Sequence, residues 1–110
     1  MSTKELIQST SFQKWVLNLK DKRARTAIAA RLYRLANDLP GDVASVGEGI
    51  SELRIHYGPG YRIYYRQYDH SILLILCGGN KSSQTNDIAI ARMLAKTWKE
   101  QEDEWNIYNI

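Results

Sequence analysis

The stretch "ELRIHYGPGYRIYYRQY", residues 52–68, decides the fold of this chain, because two strand-like runs flank the tripeptide Gly58-Pro59-Gly60. Glycine and proline together are a strong turn signal, and the flanking runs are rich in the β-branched and aromatic residues that favour strands. The stretch is therefore predicted to be a β-hairpin with strands over Ser51–Tyr57 and Tyr61–Tyr68.

The two faces of this hairpin differ in chemistry, because side chains of a strand point alternately to opposite sides of the sheet. One face is aliphatic and aromatic and is predicted to face the core: Leu53, Ile55, Tyr57, Tyr61, Ile63 and Tyr65. The opposite face starts with Glu52 and combines cations, rings and an imidazole: Arg54, His56, Arg62, Tyr64, Arg66 and Tyr68. A core does not need that second combination, which indicates a binding surface.

The segments around the hairpin are mainly helical in pattern. Apolar spacings of three and four residues predict a helix from Ser11, a second over Asp21–Asn37 and a third over Gln84–Glu104. The first two are expected to form a helical hairpin. Residues 41–50 are expected to be a loop, and residues 3–8 an opening strand.

The run "SILLILC", residues 71–77, is apolar on both faces and is predicted to be a central strand that ends at Gly78-Gly79. The predicted element order is β-α-α-β-β-β-α. We therefore expect one α+β domain over residues 1–110, built on a mainly antiparallel four-stranded sheet.

Composition narrows the class of protein. The chain is 44% hydrophobic, which excludes a disordered chain, and its formal charge of +3 is only weak support for an anionic partner. The single cysteine, Cys77, excludes an internal disulfide and is expected to be a buried strand residue. With two histidines, the chain is not expected to hold a metal or another cofactor. The sequence has neither a signal-peptide pattern nor an apolar run that approaches a membrane span, so we expect a cytoplasmic protein.

The polar face of the hairpin suits single-stranded RNA, with possible hydrolytic chemistry. Arginine binds phosphate oxygens through two parallel N–H groups, aromatic rings stack on unpaired bases, and histidine can move a proton near neutral pH. Lys81 leaves the end of the neighbouring strand and is expected to reach the same area.

Structural alternatives stay open for several of these residues. Tyr64 and Tyr68 would then shield the sheet, His56 would be an ordinary strand residue, and Arg66 would pair with Asp69 or another surface acid. The cations between residues 14 and 34 would form a solvated helix face.

Three blocks of the chain carry a resemblance to a known family. They are "FQKWVLNLKDKRARTAIAARLYRLA", "GDVASVGEGISELRIHYGPGYRIYY" and "LLILCGGNKSSQTNDIAIA", which together cover nearly the whole chain. In this order and spacing, they resemble the RelE/ParE superfamily of type II toxins. The similarity is greatest to the HigB-like branch, often labelled "addiction module killer protein".

The resemblance implies a RelE-like fold and a toxin of a type II toxin-antitoxin system. Such a toxin enters the 30S A site of the ribosome and inhibits translation as an mRNA endoribonuclease. The ribose 2′-OH attacks the adjacent phosphate without a metal or other cofactor. The implied partners are a cognate antitoxin, the ribosome and mRNA, with operator DNA bound only through the antitoxin complex and no membrane.

Site residues follow from the same resemblance. Arg62 matches the arginine on the second hairpin strand that contacts the scissile phosphate. Arg54 matches a basic position on the preceding strand, and Lys81 the basic residue after the last central strand. These three are the expected phosphate-binding group, and His56 is the candidate acid or base. Further RNA contacts are assigned to four residues, with Tyr64 as a stacking ring: Tyr64, Arg66, Arg23 and Arg31. The tyrosine that helps proton transfer from the last helix of RelE is missing here, and Asp87 near that place is a weaker acid or base candidate.

Two other functions compete with the endonuclease. A ParE-type toxin would inhibit DNA gyrase without catalysis, and fold alone does not distinguish the two. A degenerate member would act mainly as a DNA-bound co-repressor with its antitoxin, using the basic face of the second helix.

Overall fold

The computed structural model of the protein describes residues 3–98 and 105–106. The strands are β1 (Glu5–Ser9), β2 (Val43–Gly47), β3 (Ile50–Ile55), β4 (Tyr61–Gln67), β5 (Ile72–Asn80) and β6 (Trp105–Asn106). The helices are α1 (Thr10–Leu17), α2 (Lys22–Ala36) and α3 (Gln84–Thr97), and a 3-10 turn over Lys81–Ser83 leads into α3. None of the described helices is long and apolar enough to cross a bilayer.

The predicted α+β class is confirmed, but the predicted four-stranded sheet is wrong. Over residues 3–98 and 105–106, the sheet has six strands in the order β2-β3-β4-β5-β1-β6, and only the β1–β5 pair is parallel. One extra strand, β2, lies in the segment that was expected to be a loop, where it pairs along the outer edge of β3. The other, β6, pairs with β1. Both are short edge strands, whose own sequences carry little strand signal.

Helices α1 and α2 cover one face of the sheet. Their apolar side chains pack with Leu53, Ile55, Ile63 and Tyr65 in one continuous core, which also includes Phe12. The predicted core face of the hairpin is thus confirmed. Both helices begin at the caps that their sequences provide: Ser9 accepts a hydrogen bond from the Phe12 amide, and Asp21 accepts from the Arg23 and Ala24 amides.

Helix α3 covers the other face and creates a second core. It packs Ala91, Leu94 and Ala95 against sheet residues that include Ile50, Tyr64 and Leu74. Part of the hairpin face that was predicted to be open is therefore buried. The expected end of this helix at Glu104 lies outside the described residues.

Strand β5 is central and buried on both faces, as predicted, but it does not end at Gly78-Gly79. It continues through both glycines to Asn80. The two glycines lack a Cβ, and a side chain from a neighbouring helix packs closely against each of them. A Cβ at Gly78 would overlap the indole of Trp15, and a Cβ at Gly79 would overlap the Asp87 carboxylate. The two glycines thus bring a helix close to each face of the same strand.

Candidate functional site

A buried carboxylate lies at the centre of the hairpin. The side chain of Glu52 on β3 has no solvent exposure. Its Oε1 accepts hydrogen bonds from Arg54 Nε at 2.9 Å and from Arg62 Nη1 at 3.0 Å. Its Oε2 accepts from Tyr64 Oη at 2.9 Å and from Gln84 Nε2 at 2.8 Å. This group, the Glu52 cluster, connects β3, β4 and the first residue of α3.

These four donors keep Glu52 ionised. Burial alone raises the pKa of this carboxyl, because a low dielectric disfavours the charged form. The hydrogen bonds from Arg54, Tyr64 and Gln84, together with the Arg62 charge, outweigh burial and hold the pKa below its ordinary value of 4.5. Glu52 is thus a fully bonded carboxylate at neutral pH.

Tyr64 is not the exposed stacking ring that the sequence predicted. Its side chain is fully buried in the core under α3. Burial, and then the hydrogen bond to Glu52, strongly raise the pKa of its phenol. Since the ring is enclosed and the phenol stays protonated, Tyr64 supports Glu52 and has no open face for a base.

Arg54 and Arg62 lie directly opposite each other in the β3–β4 pair. Like charges in that position repel, and here Glu52 lies between them and compensates both. The Arg62 side chain is only 14% exposed, whereas that of Arg54 is 38% exposed. The structure therefore brings together two of the predicted phosphate-binding residues and holds Arg62 more closely than Arg54.

A pocket of about 390 Å³ lies at the hairpin turn, beside the Glu52 cluster. Its lining consists of His56, Tyr57, Gly58, Pro59, Gly60, Arg62 and Lys81. Gly58 and Gly60 have φ angles of 57° and 80°, a conformation that glycine adopts at little cost. Lys81 is exposed and follows β5 directly, so the end of β5 places its cation at the turn. No carboxylate pairs with Lys81 among the residues that the structure describes.

His56 lies at the edge of this pocket, just beyond the end of β3 rather than within the strand. Its side chain is 74% exposed, and its Nε2 lies 2.5 Å from Asp42 Oδ2. That hydrogen bond lowers the pKa of Asp42, and the charges of Arg54 and Arg31 act in the same direction. With the Nε2 proton directed at Asp42, the second ring nitrogen, Nδ1, is the one that a substrate can meet.

Arg31, a predicted RNA contact, is bonded to the backbone of two other segments. Its Nη1 donates to the Arg54 carbonyl at 2.7 Å and its Nη2 to the Pro40 carbonyl at 2.9 Å. Its Nε is buried and has no hydrogen-bond partner among the residues that the structure describes. The guanidinium therefore braces the backbone behind the site.

Two other predicted RNA contacts, Arg66 and Arg23, are exposed but lie at different distances from the turn pocket. Arg66 pairs in register with Ile50, four residues along β4 from Arg62 and so about 13 Å away along the strand. It makes no ion pair with Asp69 in the described part of the chain. Arg23 lies in the first turn of α2, next to Asp21, which accepts a hydrogen bond from the pocket residue Tyr57 at 2.8 Å. Arg23 is thus near the pocket, and Arg66 is not.

Asp87 and Cys77 are buried behind the site. Asp87 Oδ2 accepts from Ser83 Oγ at 2.5 Å, and this carboxylate is not among the groups that line the turn pocket. Cys77 is buried as predicted; burial, and secondarily the Asp87 charge, raise the pKa of its thiol to about 12. Within the described residues, no three His, Cys, Asp or Glu side chains lie close enough to hold a metal ion.

Sequence reasoning missed three residues that shape the site: Glu52, Gln84 and Asp42. Strand alternation already places Glu52 on the same face as Arg54 and Arg62. That shared face could have predicted an ion pair between the acid and the arginines. Gln84 and Asp42 are brought in from α3 and from the segment before β2, and no local pattern identifies them.

Fold and site together define a small α+β protein with helices on both faces of its sheet and a cationic pocket at a hairpin turn. The chain is 42% identical over 94 residues to an uncharacterized protein of Haemophilus influenzae, covering 86% of this chain and 95% of that relative. It belongs to the same family as that protein. No family model and no solved structure matches the chain.

Proposed function

We propose that this protein is the toxin of a type II toxin-antitoxin system and that it cuts mRNA on the ribosome as an endoribonuclease. The observation that carries the proposal is the turn pocket, where Arg62 from β4 and Lys81 from the 3-10 turn after β5 converge, with His56 at the rim. Two cations and a proton carrier around one small cavity are the groups that phosphodiester cleavage by a neighbouring hydroxyl needs.

The proposed reaction balances with the groups at hand. The ribose 2′-oxygen attacks the adjacent phosphorus while the bond from phosphorus to the 5′-oxygen breaks, leaving a 2′,3′-cyclic phosphate and a 5′-hydroxyl. Arg62 and Lys81 stabilise the extra negative charge on the phosphate oxygens, and one such donor is worth about 10²–10³-fold in rate. His56 Nδ1 takes the 2′-OH proton, and a solvent water supplies the proton of the leaving 5′-oxygen.

The pocket is suited to one phosphodiester and its neighbouring sugar. Its volume of about 390 Å³ is near the lower end of the range of about 300–1,000 Å³ for small-molecule sites. Recognition of a longer RNA must therefore come from outside the pocket.

The surface beside the pocket supplies a second anion-binding region. Exposed cations occur on α1, α2 and the segment between them: Lys14, Lys20, Lys22, Arg23 and Arg34. Asp21 caps α2 and bonds to Tyr57 at the pocket, so this basic region is continuous with the site. Such a surface fits the phosphate backbone of ribosomal RNA, where affinity would fall steeply with salt.

A cognate antitoxin is part of the same proposal, in a cytoplasmic complex that contacts operator DNA through the antitoxin. Free toxin would stop growth, so neutralisation requires covering the turn pocket or preventing access to the ribosome.

The test compares programmed ribosomes with free mRNA. Purified wild-type protein is expected to cut mRNA on ribosomes and to leave free mRNA almost intact, with cuts mapped by primer extension. Lys81→Ala should reduce the cutting rate about 10²-fold or more. Lys96→Ala, which removes an exposed lysine from the far end of α3, is the matched control and should cut like the wild type.

Absence of ribosome-dependent cutting by the wild-type protein would contradict the proposal. Inhibition of gyrase supercoiling by the same preparation would then identify a gyrase-binding toxin. Equal cutting by Lys81→Ala and Lys96→Ala would leave an endonuclease whose site lies elsewhere.

A further inference from the structure

Glu52 takes no part in the reaction described above, although it is the most completely bonded side chain at the site. Burying a carboxylate is costly unless charged and polar partners surround it. The side chain has no solvent exposure, and four side-chain donors contact it within 3.0 Å. An arrangement of this kind calls for an explanation beyond general stability.

Glu52 cannot itself touch the substrate. An ionised carboxylate has about four acceptor sites on its two oxygens. Each oxygen of Glu52 already accepts two hydrogen bonds, so all four sites are occupied by protein donors. Its action must therefore pass through the groups that donate to it.

Two of those groups are the arginines of the hairpin. Arg54 and Arg62 face each other across the β3–β4 pair and donate to the same oxygen, Oε1. A guanidinium has five N–H donors in a rigid plane, and the hydrogen bond to Glu52 uses one of them in each arginine. The bond fixes the plane of each guanidinium. A ligand would meet the terminal nitrogens, because Arg62 Nε is buried. Arg54 Nη1 also lies 3.9 Å from Asp42 Oδ1.

The remaining two donors fix Glu52 in turn. Tyr64 Oη reaches Oε2 from β4, and Gln84 Nε2 reaches it from the first residue of α3. Tyr64 is fully buried, so the carboxylate is held from a rigid part of the core. The chain of contacts therefore runs from the core through Glu52 to Arg62 at the pocket.

We propose that Glu52 is a positioning residue that holds Arg54 and Arg62 as one preformed unit for a phosphate of the RNA substrate. This inference rests on the proposed endonuclease function. Catalytic gain from such a unit comes from donors that do not reorganise during the reaction.

The first test is Glu52→Gln, which keeps the size of the side chain and removes its charge. Cutting of mRNA on programmed ribosomes is expected to show a kcat lowered about 100-fold, the effect of a misplaced catalytic group. The KM for ribosomes should stay unchanged, because the basic surface that reaches the ribosome is intact. Glu52→Asp keeps the charge but is one methylene shorter, and it should give an intermediate kcat. Glu48→Gln, at an exposed glutamate paired with Arg92, is the matched control.

A merely structural role for Glu52 makes a different prediction. Glu52→Gln would then lower the melting temperature, while kcat per folded molecule, measured well below that temperature, would equal that of the wild type. That result would overturn the inference and leave the endonuclease standing. A wild-type protein that does not cut mRNA on ribosomes would remove both.

A second measurement uses the wild-type protein alone and needs no variant to fold. Side-chain ¹⁵N relaxation of the Nε–H groups should give Arg54 and Arg62 order parameters near those of rigid backbone, about 0.85. Exposed Arg23 serves as the internal reference and should fall below about 0.6. Equal mobility of all three arginines would show that Glu52 does not hold them, which would overturn the inference.

Discussion

The Glu52 cluster and the turn pocket are adjacent, yet they are built in opposite ways. Glu52 and Tyr64 are fully buried, and four side-chain donors bond to the Glu52 carboxylate. The pocket beside them exposes His56 and Lys81, and its backbone is a glycine-proline-glycine turn. Only Arg62 belongs to both regions. Substitutions in the cluster should therefore change stability and activity together, whereas substitutions in the pocket should change activity alone.

Arg62→Ala is the strongest way to break this comparison, because it removes the shared residue. It leaves Glu52 buried with one cation fewer, which is expected to cost about 3 kcal/mol of unfolding free energy. Cutting of mRNA should be lost as well. Urea unfolding measures the first effect and primer extension the second.

A double variant, Glu52→Gln with Arg62→Ala, separates the two losses. Removing the charge that Arg62 compensates should restore part of the stability but none of the cutting. Arg92→Ala, at an exposed ion pair on α3, is the control and should stay within about 0.5 kcal/mol of the wild type. If Arg62→Ala were as stable as Arg92→Ala, the cluster would not be the stabilising unit described here.

Lys81→Ala tests the pocket side of the comparison. Because Lys81 is exposed and has no ion pair among the described residues, its removal should leave the melting temperature unchanged. Cutting should fall about 10²–10³-fold, the usual effect of deleting one transition-state donor. Circular dichroism melting beside the ribosome assay checks both statements. A lowered melting temperature would contradict this prediction, because it would show that Lys81 stabilises the fold.

Tyr64→Phe and Tyr57→Phe form a matched pair across the two regions. Each removes one hydroxyl that donates to a carboxylate, Glu52 for Tyr64 and Asp21 for Tyr57. The buried Tyr64 bond should be worth about 1.5–3 kcal/mol, the range for hydrogen bonds to charged groups. The partly exposed Tyr57 bond should cost less, because water replaces the lost partner. Equal losses in urea unfolding would contradict the distinction between the regions.

The same contrast explains how much of the molecule the sequence could predict. Alternation along β3 and β4 correctly placed Leu53 and Ile63 in the core, because that pattern depends only on neighbouring residues. It failed for Tyr64, since α3, far along the chain, crosses that face and buries it. Alternation along β4 and the end of β5 placed Arg62 and Lys81 in the same area, and both line the pocket.

The remaining misses have a common physical cause. The sequence of β2 predicts a loop, because so short a segment becomes a strand only by pairing with β3. Glu52 was seen on the correct face, but its burial depends on Gln84 and Tyr64 meeting there. Arg31 lies in a cation-rich helix, which is typical of a nucleic-acid contact. Its hydrogen bonds to the carbonyls of Pro40 and Arg54 depend on segments that the local sequence does not bring together. Each of these outcomes depends on contacts between distant segments.

The smallest expected effect concerns acid stability. Hydrogen bonds and the Arg62 charge outweigh burial, so the pKa of folded Glu52 lies below its ordinary value of 4.5. The unfolded chain therefore binds a proton more readily, and acid favours unfolding. The stabilisation from Glu52 is complete above about pH 4.5 and is lost as pH falls through the folded pKa of this carboxyl.

In urea titrations at several pH values, Glu52→Gln should flatten this loss of stability at acid pH. Asp42→Asn should flatten it less, because its carboxylate is 41% exposed and solvent screens its pairing with His56. A wild-type decline that Glu52→Gln leaves unchanged would mean that the cluster does not hold the carboxylate in its charged form.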